Sequence, residues 1–108
     1  MCDRTVDAQT GNDLVSTCKM RIEAYDTNKR MNNDQVAYNM GICDGTLIAL
    51  GAIGPTLPVG LRFCPPTDAT VQQSLRVVIN YLDAHPARLH EPFVDLTITA
   101  LRDVWPCK

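Results

Sequence analysis

With 108 residues, the chain has the length of one domain and too little for two. A composition of 45% hydrophobic and 20% charged residues is that of a globular protein and excludes a disordered one. The net charge is -2 and no run of Lys and Arg exceeds Lys29-Arg30, which excludes nucleic acid and anionic membrane surfaces, since both require a basic excess.

Residues 1–11 are polar and read as a flexible N-terminal segment of a single helical domain spanning 1–108. The first twenty residues hold no apolar run of signal-peptide length, so export implies a leader absent from this chain. Asn12 is a good N-cap, and Leu14, Cys18, Ile22 and Tyr25 recur at helical spacing, predicting a first helix over 13–25. Asp26-Thr27-Asn28 and Asn32-Asn33 supply turn residues and a second start signal. Val36, Met40, Cys43, Leu47 and Leu50 then draw one apolar seam, ending at Gly54-Pro55. Prolines 55, 58, 65 and 66 make 54–68 a rigid, non-helical connection. The least polar stretch, Gly45 to Leu61, is broken by Pro55 and Pro58, so no membrane span is expected from it.

Thr70 with Gln73 reads as a capping box for a third helix, whose buried stripe is Val71, Leu75, Val78, Ile79 and Leu82. It stops before His85-Pro86. Pro92, at a first-turn position, opens a fourth helix with the stripe Val94, Ile98, Leu101 and Trp105, ended by Pro106. No segment keeps the strand period of two for long. The fold class is all-α, a small bundle of about four helices.

Five cysteines, Cys2, Cys18, Cys43, Cys64 and Cys107, are dense for this length, and none lies closer than sixteen residues to the next. Zinc modules bring cysteines in close pairs, so this spacing favours disulfides formed in an oxidising compartment over metal ligation. The alternative is five inert buried thiols. A thiol enzyme would pair one of them with His85 or His90, but no nucleophile elbow is present. A metal site would need His85 and His90 with Glu91 or Asp95, and the adjacency of His90 and Glu91 makes that a weak signal. No metal and no cofactor is expected. Asp44 sits at the edge of the second helix's seam, where it can reach solvent. Gly41 and Gly45 share one face of that helix and suggest close helix approach, within the bundle or between subunits.

Several motifs together resemble the Rap/Tai family of immunity proteins, over about Asn12 to Cys107. Phe63-Cys64-Pro65 is similar to the family's lead-in to the third helix. Tyr81-Leu82, His85-Pro86 and His90 resemble its Tyr-Leu-x-x-His-Pro stretch with a downstream histidine. Ala100-Leu101 and Trp105-Pro106-Cys107 resemble its closing segment, and Gly41-Ile42-Cys43-Asp44-Gly45 the glycine-rich centre of its second helix. Two departures concern the partner: Cys43 lies between the glycines, with Asn39 one turn earlier, and Ala87 stands where an acidic residue is frequent.

The resemblance implies a non-catalytic, periplasmic protein that binds a cognate peptidoglycan amidase effector of type VI secretion, blocks its cleft, and forms a homodimer. A small periplasmic acid-stress chaperone is the competing class. If the first two helices run antiparallel, Cys18 faces Cys43, while Cys64 can meet Cys107; Cys2 is left as an odd thiol or a lipid-attachment residue. Gly41, Gly45 and Leu47 are the expected dimer surface. His85, Pro86 and His90 structure the turn Asp83–Glu91, and Arg88 and Leu89 within it, lacking an evident internal duty, are assigned to the partner.

Overall fold

The first helix starts earlier than its sequence signal suggests. In the computed structural model, which describes residues 9–28 and 33–108, Thr10 caps α1 (Gly11–Thr27). Its hydroxyl accepts from the Asp13 N–H at 3.3 Å, and its own N–H donates to the Asp13 carboxylate at 2.9 Å. This reciprocal box outcompetes Asn12, whose amide lies inside the first turn. Residues 9–11 were expected in the flexible opening, yet they are held: the Gln9 carbonyl accepts from the Phe93 N–H at 2.7 Å. The rest of that expectation, and Cys2, lie outside the described residues. Asn28 ends α1 in the left-handed conformation (φ 54°), which a short amide side chain tolerates.

Asn33 caps α2 (Asp34–Ile53), its side-chain oxygen accepting from the Gln35 and Val36 N–H groups at 2.9 and 3.1 Å. A short 3-10 turn, Gly54–Thr56, carries Pro55 and ends the helix where expected. Thr70 caps α3 (Val71–Ala84) through the Gln73 N–H at 3.0 Å. A second 3-10 turn, Pro86–Arg88, leads to α4 (Phe93–Val104), with Pro92 at the cap position rather than inside the first turn. These four α-helices and two isolated backbone bridges, Thr10 to Pro92 and Phe63 to Pro106, make an all-α bundle among the described residues.

The predicted seam of α2 faces inward: Met40, Cys43, Leu47 and Leu50 are buried, and Val36, in the first turn, is half-buried. On α3, Leu75, Val78, Ile79 and Leu82 are buried as the stripe requires, and Val71, in the first turn, is half-buried. The stripe of α4 was displaced by about one position. Phe93, Leu96, Thr97, Ala100 and Leu101 are buried, Ile98 and Trp105 are half-buried, and Val94 is 46% exposed. Both rows of α4 are apolar, so spacing alone does not choose between them; the Phe93 ring fills the interior and sets the rotation. The Thr97 hydroxyl, buried with this row, donates to the Phe93 carbonyl at 2.8 Å.

The Pro-rich crossing contributes Phe63, fully buried, against which Gly54 packs so closely that a Cβ there would lie 2.7 Å from the ring. In the bundle, α1 packs mainly on α2 and α3, and α4 on α3. Cys18–Cys43 joins α1 to α2 with 5.8 Å between Cα atoms, and Cys64–Cys107 joins the crossing to the segment after α4 at 5.0 Å. Both are the pairs that antiparallel helices predict. Lys19–Asp83 at 2.7 Å and Asp26–Arg76 add exposed ion pairs between α1 and α3, each of small energetic weight.

The segment Asp34–Thr56, of mean hydropathy 1.4, is long and apolar enough to cross a membrane by length and composition, although Gly45–Leu61 is broken as expected. Part of that apolar character belongs to the core: the inner face packs in the bundle and Cys43 is bonded to α1. Tyr38, Ile48 and Ile53 are exposed on the rest of the helix.

Candidate functional site

The connection between α3 and α4 is held at every step. His85 ends α3, its ring stacks on Tyr81 with centroids 4.0 Å apart, and its Nδ1 lies 2.9 Å from the Tyr81 carbonyl. The N–H groups of Arg88 and Glu91 donate to the carbonyls of His85 and Arg88 at 3.0 and 2.9 Å. Arg88 donates from Nε and Nη2 to the two carboxylate oxygens of Glu91 at 2.8 and 2.9 Å, a bidentate pair, and from Nη1 to the Tyr81 hydroxyl. Hydrogen bonding to Arg88 holds the Glu91 carboxyl below the usual carboxylate range, and the same bond pushes the Arg88 guanidinium up.

The other support comes from the start of α1. A helix leaves its first N–H groups without intrahelical partners. Here the Gly11 and Asn12 N–H groups donate to the carbonyls of Glu91 and Leu89 at 3.1 and 2.8 Å. Gly11 is buried, and a Cβ there would lie 2.8 Å from Leu96 Cδ1 and 3.1 Å from both Leu89 Cδ2 and the Leu89 carbonyl oxygen. Lacking a Cβ, residue 11 brings the α1 start against the turn. Gly11→Val should therefore cost about 1–3 kcal/mol by overpacking. It should also speed amide exchange in 88–91 more than in mid-α3; uniform exchange across both would refute this brace.

Arg88 and Leu89 were expected to lack internal duties, and both have them. Arg88 is engaged with Glu91 and Tyr81, and Leu89 is half-buried against the core and beside Gly11. Of the bracketing histidines, His85 is anchored to Tyr81, whereas His90 is exposed and makes no side-chain hydrogen bond among the described residues. Pro86 is exposed at the start of the 3-10 turn. The Glu91 carboxylate is taken by Arg88 rather than turned toward a histidine-based metal site. Sequence reading missed Tyr81 and Glu91 as members of this cluster, although the three-residue spacing of Arg88 and Glu91 was a usable signal.

A second surface lies on the outside of α2. Tyr38, Gly41, Gly45, Ile48 and Ala52 follow one another at three- and four-residue spacing, and all are exposed. Among the described residues, a Cβ on Gly41 or Gly45 would meet nothing within 4 Å, so the two glycines serve no helix contact there. Leu47, expected on this surface, is a core residue with 4% exposure, because it lies on the seam that carries Cys43 and Leu50. Asp44 also departs from expectation. It is tied to α1, its Oδ2 accepting from Arg21 Nε at 2.8 Å and the Tyr25 hydroxyl at 3.0 Å, while Oδ1 is buried without a hydrogen-bond partner among the described residues. The Cys18–Cys43 bond draws the two helices together and brings these flanking residues into reach.

A stapled helical bundle with a braced turn and an open helix face, with its four described cysteines locked in disulfides, has the character of a small binding protein. The model of the family of Rap1a immunity proteins matches residues 10–107, and the chain belongs to that family. No curated protein and no solved structure matches it. Family membership gives the chain an immunity role against a secreted effector, exercised by binding and without catalysis.

Proposed function

We propose that the chain is a periplasmic immunity protein that blocks the active-site cleft of a peptidoglycan amidase effector delivered by type VI secretion, and that the Asp83–Glu91 turn enters the cleft. The observation that carries this reading is the bracing of the turn by Arg88, Glu91, Tyr81 and the start of α1. A turn ordered before binding loses little conformational entropy on docking, so its contacts count toward affinity. Arg88 and Leu89 present their outer atoms to the effector while their inner atoms hold the turn. Disulfides fit the oxidising periplasm, as the family does.

The protein acts as a homodimer through the outer face of α2, where Gly41 and Gly45 let a second backbone come close beside Tyr38 and Ile48. Light scattering at micromolar concentration should give twice the 11.9 kDa of one chain, and Ile48→Asp should restore 11.9 kDa without changing the helical circular-dichroism signal. A wild-type mass of 11.9 kDa rejects the dimer. Inhibition is tested by hydrolysis of purified peptidoglycan by the cognate amidase: one protomer per enzyme should abolish turnover. Undiminished hydrolysis at tenfold molar excess would reject the amidase reading.

A further inference from the structure

The two disulfides have opposite surroundings. Cys18 and Cys43 are both 0% exposed, whereas Cys64 is exposed and Cys107 half-buried. An open pocket of about 300 Å³ lies beside the second bond, lined by Cys107 with Arg62, Arg102 and Lys108, between apolar walls that include Val59 and Pro106. The charged side chains among its described lining residues are all cations. Arg62 is oriented by its Nε, which donates to the Leu57 carbonyl at 2.9 Å, and Arg102 stands on the last turn of α4.

Disulfide exchange begins with a thiolate reaching one sulfur and ends with a second thiolate leaving, so both approach and departure carry negative charge. Cations beside the bond attract the first and stabilise the second. We propose that Cys64–Cys107 is an exchange site for small acidic thiols of the glutathione class, which the Arg62, Arg102 and Lys108 pocket binds through their carboxylates. The incoming thiolate attacks Cys107 Sγ. A sulfur–sulfur bond forms between the thiol and Cys107 as the Cys64–Cys107 bond breaks, and the electron pair departs on Cys64 as a thiolate. One disulfide replaces another, with no net oxidation, and return attack by Cys64 on Cys107 restores the original bond and expels the thiol. Exchange would free the end of α4 from the crossing, where the Cys64 N–H donates to the Trp105 carbonyl at 2.8 Å and Phe63 pairs with Pro106. The buried Cys18–Cys43 bond would hold the bundle meanwhile.

The test treats the full chain with reduced glutathione, neutral 2-mercaptoethanol or cationic cysteamine at matched thiolate concentration, followed by acid quenching and peptide mass mapping without reductant. The glutathione adduct should map to Cys107, with Cys18–Cys43 intact. At low salt its initial rate should exceed that of 2-mercaptoethanol by about tenfold, with cysteamine slowest. High salt and Arg102→Gln should each shrink that preference, and Arg102→Lys should retain it. Equal rates for the three thiols, an adduct on Cys64, or parallel opening of both disulfides would overturn the proposal. Circular dichroism of the Arg102 variants separates a lost pocket charge from a lost fold.

Discussion

Replacing Cys18 and Cys43 together by alanine is expected to lower the unfolding free energy by about 3.5 kcal/mol, and by more once packing is included. The bond closes a segment of 25 residues, and restricting the unfolded chain by that loop contributes about 3.5 kcal/mol in the chain-entropy account. Cys64–Cys107, with a separation of 43, gives about 4 kcal/mol by the same reasoning. The difference between the two pairs lies in the folded state. Cys18 and Cys43 are fully buried in the same core cluster as Leu14, Leu47 and Leu75, so alanines leave an unfilled volume, whereas the Cys64 side opens to solvent. Domains of this size have total stabilities of roughly 5–15 kcal/mol, so the buried pair commands a large share. Urea unfolding with a raised m-value, because the unfolded chain without the cross-link exposes more surface, and an unfolding free energy in water lower by at least about 3 kcal/mol is the expected reading. A loss under about 1 kcal/mol would show that the unfolded chain gains little freedom without the bond.

That pairing was legible in the sequence because it follows from helix direction alone: antiparallel neighbours place Cys18 opposite Cys43 at mid-helix. The seams of α2 and α3 were legible for a related reason, each having one apolar row and a cap residue, Asn33 or Thr70, whose side chain bonds the first turn. Where two adjacent rows are apolar the rotation is undetermined, and α4 was turned by about one position until the burial of Phe93 fixed it. The α1 start was misread because Asn12 and Thr10 are both competent caps, and only the reciprocal bond with Asp13 distinguishes them.

The turn shows what a sequence conceals more generally. Leu89 and Arg88 looked free although one partner, Glu91, lies three residues from Arg88; their other partners lie elsewhere in the chain or the fold. Leu89 gains its role from Gly11 and Asn12, at the far end of the sequence, and Arg88 depends on Tyr81, a full helix end away. The glycines of α2 left two readings open, a contact within the bundle or one between subunits, and among the described residues the first finds no neighbour.

Arg88→Ala is expected to weaken binding to the cognate amidase by at least about thirty-fold, the loss typical of a hot-spot arginine. Because Arg88 both holds the turn and is proposed to touch the effector, a single substitution does not separate the roles, and Glu91 supplies the separation. Glu91→Gln keeps the cation at residue 88 and its bond to the Tyr81 hydroxyl while removing the carboxylate that orients the guanidinium. If Arg88 meets the effector directly, Glu91→Gln should lose far less affinity than Arg88→Ala, and the double variant should be no worse than Arg88→Ala alone. Equal losses in the two single variants would make Arg88 a positioning residue only, and unchanged affinity in both would remove the turn from the inhibitory surface. Acid gives an independent reading. Arg88 depresses the Glu91 carboxyl in the folded protein, so the pair's stabilisation is full above the ordinary carboxylate range, near pH 4.3, and is lost as pH falls through the lower folded value. Affinity carried by this pair should be level from about pH 6 to 8 and fall only in acid. The protection of the amides at 88–91, relative to their intrinsic exchange at each pH, should fall over the same acid interval in the wild type and show no such transition in Glu91→Gln, because glutamine has no proton to gain.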